Sequence, residues 1–466
     1  MSLHIVSSAN TRQNSSILAD MIYFFLHPKI HILVMVVGGL MVVGIFKIYM
    51  PALSKLSWLV NISGFYLFGF SIILLIHKRR FPPVLVWPLI LFAYGIVTAL
   101  INGMGTLAIL FDLKRSFSAW GLFLAAYVIH FSSSDIERIK KFVYLLVFFQ
   151  LPFCLHQYIV LVPLRETVEM AGEINLTPVD IIVGTFGGKM FGGGANGTLA
   201  VFLIIALSML LSLKNTQIKS AKYIFLLALI VLPLFLGETR IVVVYLMVMF
   251  VVVYGKDIIQ NPSKFFINTI LMFLLIGSLV YLFFLTKPAN MNVTTQGHFA
   301  NFVAKNFGDL SSKDRELNRT TVLIFWASEQ RHFSWANTLL GHGIGATSTE
   351  KTGDGLAAEA AGSLSKRYPN YGIDYTSASI ILWELGIVGV LLFIGWFSSV
   401  WILIKRIEYT APASILYQIN GLKVGTIIFL INMFAKSSFH HTISHQVLFA
   451  AFMSYPIILR YRSRDL

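Results

Sequence analysis

The chain has 466 residues, of which 56% are hydrophobic and only 12% charged, with a mean hydropathy of +0.76. An ordinary soluble domain carries about 25% charged residues, so this composition excludes one and predicts an all-α polytopic membrane protein. The net charge of +15 does not point to nucleic acid, because the basic residues are scattered through short loops beside apolar runs, where they set topology. One cysteine, Cys154, excludes a disulfide within the chain and lies in an apolar run as a small hydrophobe.

About twelve apolar runs approach the ~20 residues that a helix needs to cross a bilayer. Their cores are 30–49, 57–76, 83–100, 115–131, 141–161, 196–213, 223–237, 240–255, 265–286, 379–404, 422–436 and 446–460. The first follows a polar N-terminus with Arg12 and Lys29 and no small-residue cleavage pattern, which predicts a retained span rather than a signal peptide. With that N-terminus cytoplasmic, the inner segments hold about 19 Lys and Arg, against about eight in the short outer ones. Both termini are therefore predicted inside. Residues 1–286 form nine spans, 287–378 one long external insertion, and 379–466 three more spans. The insertion is too long for a simple connection and is predicted to be mainly helical.

The basic residues on the outer side carry the most information. Lys114 and Arg115 open the fourth span, Lys189 lies in a Gly-rich loop at 184–197, Arg240 opens the eighth span, and Lys436 ends the eleventh. An arginine at membrane depth costs from about 3 to more than 10 kcal/mol and so calls for an anion. At a helix N-terminus, free N–H groups join a guanidinium fork that suits phosphate oxygens. Snorkelling to headgroups competes with this reading for Arg115 and Arg240, as does a Glu238 ion pair for Arg240.

The glycines of the 184–197 loop permit positive φ or close approach to a ligand, and Asn196 either caps the next helix or touches substrate. The loop lacks the Gly-Lys-Ser/Thr ending of a nucleotide-binding loop. In the insertion, residues 315–329 read as a helix with Arg315 and Arg319 at i, i+4 and Leu323 and Trp326 continuing that face. The run Leu340-Gly-His-Gly-Ile-Gly345 predicts a hinge-like turn. His332 and His342 are candidate bases by residue type. His440, His441 and His445 cluster beside Lys436. His441 and His445 have a zinc-compatible spacing, but no Glu or Cys accompanies them, and they read as a polar cavity lining.

Five stretches, in order, resemble the bacterial O-antigen ligase and O-antigen or exopolysaccharide polymerase superfamily. They are Gly184-Thr-Phe-Gly with Asn196, Gly237-Glu-Thr-Arg240, Arg319 with Trp326, Leu340 to Gly345, and Glu384-Leu-Gly-Ile-Val-Gly389. The resemblance runs from about residue 184 to the end. It implies a membrane glycosyltransferase of the bacterial inner membrane, about twelve transmembrane helices with a large periplasmic loop, and an active site facing the periplasm. The donor it implies is an undecaprenyl-pyrophosphate-linked oligosaccharide, with no metal and no cofactor. The implied partners are the lipid bilayer, a chain-length regulator and a flippase, and no nucleic acid.

Under that resemblance Arg240 and Arg319 act on the departing pyrophosphate. Substrate binding falls to Arg115, Lys114, Lys189, Asn196, Arg315, His342, Trp326 and Lys436. The ligases and many relatives place a His about nine residues before the Glu-Leu-Gly motif, and Tyr375 stands there in this chain. Asp374 is then the expected base, with Tyr375 orienting or stacking on a sugar. The departure favours a polymerase of repeat units for O-antigen, capsule or exopolysaccharide over an O-antigen ligase acting on lipid A-core. A transporter or flippase of lipid-linked glycans is the reading from another class. Its ionisable residues should run through the midplane, whereas here the basic positions gather at one face.

Overall fold

The computed structural model describes residues 27–79, 81–170, 178–188, 190, 195–213, 220–237, 239, 241–263, 317–348, 363–368, 371–410 and 412–465, with isolated positions between 266 and 277. Among them the regular structure is helical, with no strand. The first helices in chain order are α1 (Pro28–Tyr49), α2 (Pro51–Lys78) and α3 (Pro83–Ile101). They are followed by α4 (Thr106–Phe117), α5 (Trp120–Val128), α6 (Ser133–Val168), α7 (Asn196–Leu211), α8 (Ser220–Leu236) and α9 (Val242–Gln260). Next come three short helices, α10 (Thr321–Glu329), α11 (Trp335–Leu340) and α12 (Ser363–Arg367). The chain finishes with α13 (Ser377–Thr410), α14 (Leu416–Ala435), α15 (Ser438–His441) and α16 (Ile443–Asp465). Six of these, α1, α2, α3, α6, α13 and α14, are long and apolar enough to cross a membrane. The run at 265–286 lies largely outside the described residues.

The fourth apolar run is not one continuous helix. It breaks at Ser118 and Ala119 into α4 and α5, because α2 passes there at backbone contact. A Cβ on Gly64 would stand 2.0 Å from the Ser118 carbonyl oxygen, and one on Gly121 would stand 1.9 Å from that of Gly64. Small residues let membrane helices approach this closely, and the Ser118 hydroxyl is tied to Asn61 Oδ1 at 2.8 Å. The consequence corrects the sequence reading of Arg115. It is not at a helix N-terminus but lies in the last turn of α4, where the helix dipole favours a cation.

The Gly-rich loop packs against the chain's own helices. Gly184 and Gly187 have φ of 59° and 82°, and Cβ atoms there would stand 2.0 Å from Gln150 Oε1 and 2.4 Å from the Gly44 Cα. Irregular backbone at membrane depth is tolerated where protein groups satisfy it. Gln157, in a π-helical turn of α6, accepts from the N–H groups of Val183 and Gly184 and donates to the Gly184 carbonyl. The Thr185 hydroxyl donates to the Leu40 carbonyl within the π-helical stretch of α1.

In the insertion, the expected helix starts later than 315. Asn318 Oδ1 accepts from the N–H groups of Thr320 and Thr321, while Thr321 Oγ1 accepts from the N–H of Asn318. These bonds shape the turn before α10, which begins at Thr321 and leaves Arg319 in that turn. Arg315 lies outside the described residues. Leu317, Val322, Ala346, Leu364, Ile373 and Trp383 form a small apolar core between this region and the start of α13, with Trp326 packed against it.

The α2–α5 crossing has a direct consequence. Gly121→Ala should destabilise the protein by about 1–3 kcal/mol through overpacking, read as a lower unfolding temperature in detergent. An unchanged transition would show that the helices separate there without cost.

Candidate functional site

One end of the bundle collects polar side chains from helix termini that are far apart in sequence. The C-terminal end of α14 supplies Lys436, the loop before α13 and its first residue supply Asp374 and Ser377, the start of α7 supplies Asn196, and the end of α4 supplies Arg115. The Lys436 carbonyl accepts two hydrogen bonds from Ser377, from its N–H and its hydroxyl, both at 3.0 Å. That clip fixes the Asp374 loop to the turn between α14 and α15.

Arg115 is enclosed by carboxylates. Its Nη2 lies 2.6 Å from Asp112 Oδ1 and 3.4 Å from Glu384 Oε1, and both acids are buried. Glu384 also accepts from Thr347, from its N–H at 3.1 Å and its hydroxyl at 2.6 Å. The Gln446 amide donates to the Arg115 carbonyl. Ser116 Oγ reaches both Asp112 Oδ2 and His440 Nδ1, at 3.3 and 2.9 Å. The guanidinium therefore already has two carboxyl partners, and phosphate binding there would break its contacts with them.

The glycine turn serves this network. Gly341, Gly343 and Gly345 have φ of 80°, 90° and 85°, and the turn lies against α3, α4 and a kink in α13 at Gly386, whose φ is 62°. His342 and Gly343 donate to the carbonyls of Trp383 and Glu384 at 2.9 and 2.8 Å. His342 itself is buried between Phe333 and Trp383, and Asn337 Nδ2 lies 3.0 Å from its Nδ1. Burial, with Arg367 as a second cause, pushes this imidazole down to about 4. A neutral ring in an apolar wall is a poor partner for an anion.

A second group surrounds Lys436. Its Nζ lies 2.5 Å from Asn196 Oδ1, whose amide nitrogen donates to Asp180 Oδ1 at 2.9 Å. Asn196 thus bridges a cation and an anion and does not cap α7, whose N-cap is Ala195. Gly197 leaves the lysine stem room to cross the helix start, since a Cβ there would meet its Cδ at 3.0 Å. Arg319 lies within electrostatic reach of both Lys436 and Tyr245. The Tyr245 hydroxyl accepts from Asn432 Nδ2 at 2.8 Å. Lys436 thus has Asp180 and Arg319 as its charged neighbours.

Asp374 stands beside these groups, with its Oδ2 3.5 Å from His441 Nε2. Its side chain is 13% exposed and that of His441 34%. Tyr375 is exposed next to it. The three histidines diverge: His441 faces Asp374, His440 faces Ser116, and His445 Nδ1 lies 3.2 Å from Thr198 Oγ1. Among the described residues no set of three His, Cys, Asp or Glu is arranged to hold a metal ion.

The structure thus brings Asp374, Tyr375, Asn196, Arg319, Arg115 and Lys436 to one end of the bundle. Lys114 points elsewhere, its Nζ 3.4 Å over the Trp58 ring, and Trp326 and His342 are wall residues. Arg240 and Lys189 lie outside the described residues. Sequence reasoning missed Asp112 and Asp180 as partners of the cations. The i, i+3 spacing of Asp112 and Arg115 on an apolar helix was the available signal for the first. No family model matches the chain, and a search of curated proteins gives no match either.

The Arg115 arrangement predicts a stability effect. Arg115→Gln should cost about 3–5 kcal/mol, as expected for a buried pair losing one member, and Glu384→Gln added to it should restore part of the loss in detergent unfolding. A single variant as stable as the wild type would contradict the pairing.

Proposed function

We propose that the protein is a membrane glycosyltransferase that joins undecaprenyl-pyrophosphate-linked repeat units into a polysaccharide at the periplasmic face of the bacterial inner membrane. The observation that carries this reading is that Lys436, with Arg319 in electrostatic reach, is tied through its carbonyl and Ser377 to the loop that holds Asp374 against His441. Such an arrangement suits a pyrophosphate anchored in the bilayer, a dianion that must stay at the membrane surface while its sugar reacts. The twelve-span topology with both termini inside belongs to the same proposal, and so does the periplasmic placement of the 287–378 loop. They put the helix ends that carry Lys436, Asp374, Asn196 and Arg115 on one side of the membrane.

The proposed reaction is an inverting transfer. The hydroxyl of the acceptor sugar attacks the anomeric carbon of the donor, and the bond from that carbon to the phosphate oxygen breaks. The pyrophosphate departs with the electron pair, and Lys436 and Arg319 meet the growing charge. Preorganised donors of this kind contribute about 10²–10³-fold each in rate. The proton of the attacking hydroxyl passes to the Asp374–His441 pair. In this account Arg115, held by Asp112 and Glu384, shapes the floor of the site and leaves the phosphate to the other cations.

The test is glycan analysis in a strain from which the gene has been deleted. Single repeat units should accumulate on the lipid carrier. Long chains of normal distribution would overturn the proposal, and polymer that persists on the carrier but vanishes from lipid A-core would identify a ligase instead.

A further inference from the structure

The carboxylate expected to take the acceptor proton is not alone. It faces an imidazole from a segment 67 positions later in the chain, on the turn between α14 and α16. Two features hold the pair in place. The Asp374 loop is clipped to the Lys436 carbonyl by both donors of Ser377, and within it the Ser379 hydroxyl donates to the Ile373 carbonyl at 2.7 Å. His441 ends the short helix α15, where its N–H donates to the Ser437 carbonyl at 3.1 Å, one residue from Lys436. Carboxylate and imidazole are thus set on two loops that are tied together at one point.

Their exposures differ in a way that decides the roles. Asp374 is largely covered, while a third of the His441 side chain is open. A covered carboxylate against an open imidazole is the arrangement in which the acid orients the ring and stabilises its charged form, and the ring exchanges the proton. A hydrogen on Nε2, directed at Asp374, leaves Nδ1 as the proton acceptor of the ring. Among the described residues, Arg115 acts on Asp374, and His440 acts together with His441. His440 is buried against Ser116.

We propose that His441 is the general base of the transfer and that Asp374 is its positioning residue. This assignment rests on the glycosyltransferase reading above. In the step itself, the acceptor O–H gives its proton to His441 Nδ1 as the new glycosidic C–O bond forms and the bond from anomeric carbon to phosphate oxygen breaks. The imidazolium, held beside the Asp374 carboxylate, later returns its proton to water. An imidazole absent from the Tyr375 position is thereby supplied in space from another loop.

The experiment uses the purified full-length protein in detergent and, as substrate, the carrier-linked glycan that accumulates in the deletion strain. His441→Ala should lower turnover by about 10²–10⁴-fold, the usual contribution of a general base, with the KM for donor changed less than threefold. Added imidazole should restore part of that turnover, a response that a merely structural loss would not give. Asp374→Asn should lower turnover less than His441→Ala and gain nothing from imidazole. The assignment falls if His441→Ala keeps turnover within threefold of wild type, or loses it with no response to imidazole. A wild-type protein that joins no repeat units overturns the functional reading, and this assignment with it.

Discussion

A charge inside a membrane bundle has to be matched where it sits, and Arg115 between Asp112 and Glu384 is where this fold meets that requirement. The pairing is also a structural joint. Asp112 and Arg115 belong to α4, Glu384 to α13, and Thr347, bonded to the same carboxylate oxygen, closes the glycine turn of the insertion. The three left-handed glycines let that turn run against α3 and α4, and the kink at Gly386 opens α13 to receive it. Burying an ion pair is weak evidence for stability as such, because desolvation offsets much of the attraction. What it supplies here is register, because it ties α4, α13 and Thr347 together at one point.

From this joint the remaining groups sort by charge. Around Arg115 two carboxyl groups enclose one guanidinium, whereas Lys436 is joined to Asp180 through Asn196 and has Arg319 within electrostatic reach. The Asp374–His441 pair lies between them along the chain of contacts, reached from Lys436 through Ser377 and within electrostatic range of Arg115. A site that binds a pyrophosphate and removes a nearby proton needs these two functions side by side and chemically distinct.

The helical, membrane-spanning character was legible in composition and in the apolar runs, since length and hydropathy depend on few interactions beyond the chain itself. The break between α4 and α5 was not. It arises from the contact of Gly64 with Gly121, residues 57 positions apart, and the apolar pattern continues across it. Arg115 was legible as a charge in need of a partner, but a phosphate was favoured over the acid three residues earlier on the same helix. For Asn196 the capping alternative failed, because its partners Asp180 and Lys436 come from opposite directions in the sequence. Arg319 was placed within a helix by periodicity, and the structure puts it in the turn before α10, beside the Asn318–Thr321 bonds, a local signal. His441 was grouped with His445 by spacing, yet the structure turns the two toward different partners.

The central claim is that the lipid pyrophosphate is held by Lys436 and Arg319, and that Arg115 serves the fold. Binding of undecaprenyl pyrophosphate to the purified protein, followed by native mass spectrometry, tests it most directly. Saturable binding should weaken at least tenfold in the Lys436→Gln, Arg319→Gln double variant, a loss of about 1.4 kcal/mol or more. Equal affinity in that variant and the wild type would contradict the account.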